Sequence, residues 1–246
     1  MSKAPQAEQL RLLGLQALDS RLNQLQRQAA AVKSNPELAE RAGHVASADS
    51  ELVVAATGLA DAERELTRSE DDVQAVVTRL ERDQQRLNSG TGSSKDLTAL
   101  QSEVASLTKR RSDLEDIELE IMERVEATRT AKQEIQARTD QARRHLGELE
   151  AARDSQLAEV GAEATRLLAE RTELAGTFDP GLVGIYDKTL ARRGVGAARL
   201  FHGTSEGSGM QLSPGDLADI RKAAEDDIVF CPDSGCILVR SSEWGN

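Results

Sequence analysis

The sequence predicts a mainly α protein, a long antiparallel coiled-coil hairpin followed by a small C-terminal α+β domain. Three observations predict it. Apolar residues stand seven apart through eight heptads, at Leu38, Val45, Leu52, Leu59, Leu66, Val73, Leu80 and Leu87. A strict repeat of that period underwinds a helix to about 3.5 residues per turn and makes it supercoil against a partner. A polar turn then separates this run from a second heptad run. Finally, all five aromatics (Phe178, Tyr186, Phe201, Phe230, Trp244) lie after residue 177. The stretch before them must pack with Leu, Val, Ile and Ala, which suits a two-helix seam better than a deep core. The expected domains are therefore 1–176 and 177–246.

Small residues at Ala48, Ala55, Ala62, Ser69 and Val76 follow the first row at a spacing of three, so two backbones can approach closely. Ser34-Asn35 supplies an N-cap, Pro36 suits a first helical position and Glu37 the positive helix end. The spacing predicts a helix over 36–87, about 78 Å long. Residues 88–94 hold two glycines and no apolar residue, which marks a turn. The returning helix, about 95–175, is capped by Ser94 and carries Leu100, Leu107, Leu114, Ile121, Ile135 and Leu149 in one row. A second row runs from Leu97 to Leu174, interrupted by Arg111, Glu118, Lys132, Thr139 and Arg153. Those polar positions are expected to point partly to solvent. The returning helix is too long for one partner. Residues 6–32, with Leu12, Leu15, Leu18, Leu22 and Leu25, supply the missing helix opposite 151–176. His44 and His145 are expected on the helix flanks as exposed residues.

Net charge is −11, which excludes a uniformly basic nucleic-acid-binding rod but not a local basic patch. No apolar run reaches the roughly 20 residues of a membrane span. No secretory signal opens the chain and two cysteines make no disulfide framework, so the protein is read as cytoplasmic, without membrane association.

In the C-terminal domain, Asp179-Pro180-Gly181 starts a short helix that stops at Arg192-Arg193-Gly194, and residues 195–201 read as a strand. Ser213-Pro214 caps another helix. Residues 227–230 and 237–240 read as a hairpin. So small a core needs a staple, either a metal or packing against another element.

The hairpin turn followed by 95–103, Tyr186 leading to the stretch 192–199, Gly209-Met210-Gln211-Leu212-Ser213-Pro214, and Ile228-Val229-Phe230-Cys231-Pro232 ahead of Gly235-Cys236 together carry a resemblance. Over essentially its whole length the chain resembles a bacterial family with an N-terminal coiled-coil hairpin and a C-terminal C4-type zinc ribbon. The resemblance implies a zinc-ribbon-like second domain, nucleic-acid binding as a commonly ascribed role, and chaperone- or adaptor-like relatives in secretion and flagellar assembly. The ligand pattern departs from the family's: Ser205, Ser208 and Ser234 stand at three of the four ligand positions and only Cys231 is retained, with Cys236 two residues past the last. A serine hydroxyl stays protonated near neutral pH and ligates zinc poorly. Two readings stay open. The ribbon has lost its metal, or a rebuilt zinc site uses Cys231, Cys236 and His202 with an oxygen from Glu206, Asp233 or water, Glu206 having the better reach.

There is no H-E-x-x-H, P-loop or dinucleotide fingerprint, and no converging acid, base and nucleophile. The reading is a non-enzymatic adaptor that binds other proteins through its coiled coil and ribbon-like head, chaperone-like or secretion-associated in character, as a monomer or a homodimer. The alternative is nucleic-acid binding by the C-terminal domain through Lys188, Arg192, Arg193 and Arg199, with Lys109, Arg110 and Arg111 as a second basic cluster on the hairpin.

Overall fold

The computed structural model describes residues 3–241 and Trp244; residues 1–2, 242–243 and 245–246 lie outside the description. Among the described residues five helices and five strands follow one another: α1 (Gln6–Lys33), α2 (Pro36–Asn88), α3 (Ser94–Ala175), α4 (Pro180–Arg193), β1 (Ala197–Phe201), β2 (Thr204–Ser205), β3 (Met210–Gln211), α5 (Pro214–Lys222), β4 (Val229–Phe230) and β5 (Ile237–Arg240). They form two compact units, Pro36–Ala151, and Met1–Asn35 with Ala152–Asn246. The division differs from the compositional boundary at 177, because α1 and the end of α3 share a core with the C-terminal elements.

The hairpin unit is α2 against the first part of α3. Every residue of the predicted α2 row is buried or half-buried, as are Ala48, Ala55, Ala62, Ser69, Val76 and Asp83 three places on. Ala62 meets Ile121 and Val125, with Leu59 and Leu66 beside them. Ion pairs flank the seam and fix its antiparallel register: Glu65 with Arg124, Glu63 with Arg129 at 3.1 Å, and Asp49 with Arg143 at 2.8 Å. Exposed pairs of this kind contribute about 0–1 kcal/mol each, so the apolar seam supplies the stability. At the turn the cap is Ser93, one residue before the expected Ser94. The amide of Asp96 donates to Ser93 Oγ (3.3 Å) and the amide of Ser93 to Asp96 Oδ2 (3.1 Å), a reciprocal capping box.

The polar seam positions divide. Arg111, Glu118, Lys132 and Arg153 are half-buried, as expected for side chains leaning out of a seam. Thr139 is not, for it is fully buried. Its hydroxyl donates to Ile135 O at 2.9 Å within its own helix, so burial leaves no polar group unpaired. His44 and His145 are exposed, as expected.

The α/β unit is built on a sheet of order β3-β2-β1-β5-β4, in which β1 and β5 run parallel and the other pairs antiparallel. Its central strands are buried on both faces, with alternating destinations. Ala197, Ile237 and Val239 join Leu12 and Leu15 of α1 and Phe178, Leu182 and Tyr186 on one side. Ala198, Leu200 and Leu238 join Leu212, Ile220, Cys231 and Cys236 on the other. The predicted helices over 180–193 and from 214 are present, capped by Asp179 and Ser213. Further along α1, Leu25 packs with Val160 and Leu167, which is the pairing of 6–32 with 151–176 expected from the leftover length of α3.

Candidate functional site

At the end of β4 the chain turns back through Pro232-Asp233-Ser234-Gly235. The Cys231 amide donates to Cys236 O (2.8 Å) and the Gly235 amide to Cys231 O (2.9 Å). Gly235 has φ 72°, a left-handed backbone that side chains other than glycine adopt at a cost. This turn brings both thiols against Ser234, whose amide donates to Cys231 Sγ (3.5 Å) and whose hydroxyl donates to Cys236 Sγ (3.1 Å). The second strand pair completes the cluster. Ser208 Oγ lies 4.0 Å from Cys231 Sγ, and Ser205 on β2 is 0% exposed. Gly207 closes it. A Cβ there would sit 2.6 Å from Cys236 Sγ.

The two thiols differ in acidity. Burial raises both. For Cys231 the neighbouring Ser205, Ser234 and Asp233 groups outweigh burial and hold the thiol below its ordinary value. For Cys236 burial dominates, the adjacent Cys231 adds to it, and the thiol is pushed up.

The structure thus gathers Ser205, Ser208, Cys231 and Ser234, the four positions at which the resemblance places the family's ligands, with Cys236 among them. The expected quartet of Cys231, Cys236, His202 and Glu206 is not assembled: among the described residues no three His, Cys, Asp or Glu side chains group to hold a metal. Local geometry is the reason. Ser205 is buried at the end of β2, and Glu206 opens the turn after it, exposed, where it accepts from Arg199 Nη2 (2.6 Å). His202 sits in the two-residue turn between β1 and β2 at φ 46°, exposed, with its ring edge-on to Phe201 at 4.1 Å. Two thiols and three hydroxyls do not fit a tetrahedral zinc site, which draws its four ligands from thiolate, imidazole and carboxylate.

The four predicted nucleic-acid contacts are also divided. Lys188, Arg192 and Arg193 line one hollow with Phe230 and Gly235. Arg199 lies elsewhere, paired with Glu206 and stacked over Phe201 at 4.6 Å. Two residues nominated for different chemistries are therefore partners of each other.

Sequence reasoning missed the polar network that ties α1 to the sheet. Tyr186 is fully buried and donates to Asp19 Oδ2 (2.8 Å). Arg171 donates to Asp19 Oδ1 (2.7 Å) and Asp187 Oδ1 (2.6 Å), while the Gly196 amide donates to Gln16 Oε1 (2.7 Å). Only Asp19 amid the leucines of α1 hinted at it. Buried Arg240 was missed too; it donates to the carbonyls of Ala223, Ala224, Glu225 and Asp227 and fixes the loop into β4. Burial, then the bond to Asp19, raises the Tyr186 phenol far above its ordinary value. An unfolded tyrosine ionises near pH 10, so the stability tied to the neutral phenol is present below about pH 10 and lost as pH rises beyond it. Urea midpoints between about pH 8 and pH 11 should fall more steeply for the wild type than for Tyr186→Phe. Parallel profiles would refute this.

A coiled-coil hairpin joined to a small ribbon-like α/β unit is the architecture of a structural or binding protein. The family description of the CT398-like coiled coil hairpin domain matches residues 15–194, and that of a C4-type zinc ribbon domain matches residues 204–238. The chain belongs to the CT398-like coiled-coil hairpin family. An uncharacterised protein of Mycobacterium tuberculosis, Rv2229c, is 34% identical over 239 residues, 97% of each chain. A solved structure from Mycobacterium smegmatis has a TM-score of 0.81 at 29% identity, covering 97% of this chain and all of the other. CT398 from Chlamydia trachomatis shares the fold, with a TM-score of 0.59 at 18% identity over 94% of this chain and 97% of its own. Among the described residues no helix is long and apolar enough to cross a membrane.

Proposed function

We propose that this protein is a non-enzymatic adaptor that holds other proteins through the hairpin and the α/β unit, in the cytoplasm and with chaperone-like character. One observation carries the reading. The hairpin satisfies its own seam, yet leaves Val54 (73% exposed), Leu119 (58% exposed), Val53, Ile117 and Met122 on its outer faces. Large aliphatic side chains in that position are what a partner helix buries. A photo-crosslinking side chain at Val54 or at Leu119 of the full-length protein, in its native host, should give discrete adducts with other proteins. Adducts absent at both positions, or formed only with a second copy of the chain, would remove the reading.

Nucleic-acid binding is the second reading. The observation that favours it is the convergence of Lys188, Arg192 and Arg193 on one hollow. It calls for a mobility shift with single- and double-stranded oligonucleotides that fades steeply as salt rises; no shift at low salt eliminates it.

The α/β unit, in our reading, folds without zinc. The donor set is wrong for the metal, and α1 supplies through Leu12 and Leu15 the staple that so small a core requires. Elemental analysis should give the same near-zero zinc content for wild type and Cys231→Ser, and chelator should leave the melting of the unit unmoved. Stoichiometric zinc that Cys231→Ser abolishes would restore a metal site.

A further inference from the structure

We infer that the α/β unit carries a two-sided docking surface centred on Phe230, shaped for a protein segment in which basic, aliphatic and acidic residues follow in short succession. The inference rests on the adaptor reading and names the chemistry of one partner. Phe230 ends β4 at the edge of the sheet and is 47% exposed. It forms part of two neighbouring hollows of opposite character. One, about 360 Å³, is lined by Ile220, Val229 and Pro232 together with Asp216, Asp219 and Asp227. The other, about 260 Å³, is lined by Lys188, Arg192 and Arg193.

The charges on each side are available. Lys188, Arg192 and Arg193 form no ion pair with a carboxylate of the described residues. Asp219 pairs with Lys222, but both side chains are highly exposed and such a pair is worth little. Asp216 accepts from Ser213 as part of the α5 cap. Asp227 accepts from the Ala224 amide and lies 4.0 Å from Lys3.

Charge complementarity selects the occupant. A nucleic-acid backbone that reached the three cations would bring further phosphates towards the three aspartates. A purely basic tail that reached the aspartates would meet the cations. A segment with Lys or Arg on one side of an aliphatic residue and Asp or Glu on the other satisfies both hollows. Its aliphatic side chain covers Phe230 and fills the larger cleft. The guanidinium groups of Arg192 and Arg193 add the bidentate geometry that carboxylates match. An aromatic anchor ringed by charged side chains is also the usual make-up of an interface centre and its rim.

Fluorescence anisotropy with the full-length protein tests this. The probe is a fluorescein-labelled peptide, Gly-Lys-Arg-Leu-Val-Leu-Asp-Glu-Gly, with all-Lys and all-Glu versions of its charged positions and a labelled oligothymidine as comparators. The mixed peptide should bind saturably, and tighter than each comparator. Phe230→Ser, Asp219→Asn and Arg192→Gln, all at exposed positions, should each weaken it about five- to ten-fold while the melting temperature stays put. No saturable binding up to about 1 mM overturns the proposal, as does binding that the three variants leave unchanged. Oligothymidine binding that exceeds peptide binding and falls with Arg192→Gln overturns it in favour of a nucleic-acid site. Adducts at Val54 or Leu119 that persist in Phe230→Ser would leave the adaptor reading standing while this surface fails.

Discussion

Alanine at both Leu12 and Leu15 should unfold the α/β unit while most of the helical signal of the chain persists. The two leucines are fully buried and lie in α1, far in sequence from the C-terminal elements they pack against. Each Leu→Ala change in a core costs about 2–5 kcal/mol, part of it transfer and part the cavity left behind. Together they remove about 4–10 kcal/mol, against the 5–15 kcal/mol that an ordinary domain holds in total. The hairpin unit contains neither residue. Trp244 is the only tryptophan and packs on the second core cluster, so its emission reports the unit alone. The expected result is a tryptophan transition lost or shifted far down in urea, beside circular dichroism that remains strongly helical. A double variant whose tryptophan transition coincides with that of wild type would mean that α1 is not the staple, and the zinc-free reading would lose its support.

That result would also explain where the sequence was legible. The heptad rows of α2 predicted the burial pattern residue by residue, because a coiled coil is the one architecture in which local periodicity fixes the tertiary contact. The leftover length of α3 placed 6–32 opposite 151–176 for the same reason. In the α/β unit, caps and short elements were readable at Asp179, Ser213 and the 229–240 hairpin, since each is a local signal. What stayed hidden was non-local. Nothing near Ala197 or Ile237 announces that β1 and β5 pair in parallel, and Gln16, Asp19 and Arg171 are ordinary polar residues of helices until the chain is folded. The resemblance pointed to Ser205, Ser208, Cys231 and Ser234, which the fold does bring together, whereas His202 and Glu206 lie apart from the two thiols. Glu206 opens the exposed turn after Ser205, where Arg199 takes it.

Gly196→Ala should be among the most damaging single substitutions in the chain, although it adds one methyl group. An added Cβ would lie 2.4 Å from Tyr186 Cε2 and 2.7 Å from Cδ2 and Cζ. Neither side of that contact can retreat. The Tyr186 ring is fully buried and its hydroxyl is held by Asp19. The Gly196 backbone is held twice, its amide by Gln16 Oε1 and its carbonyl by the Ile237 amide at 2.9 Å. Overpacking of this kind costs about 1–3 kcal/mol, and more where relaxation breaks buried hydrogen bonds. A second variant separates the clash from any general effect of losing a glycine. Gly184 lies inside α4, where an added methyl would have no neighbour within 4 Å, so Gly184→Ala should stabilise by about 0.5–1 kcal/mol through helix propensity. Tyr186→Leu, which removes the clashing ring atoms, is destabilising alone. Added to Gly196→Ala, it should cost less than the two single changes summed, by about 1 kcal/mol or more. Urea denaturation read at Trp244 measures all four variants. Strict additivity, or a Gly196→Ala protein as stable as wild type, would mean that the contact between this glycine and the buried tyrosine does not set the position of β1 against α1.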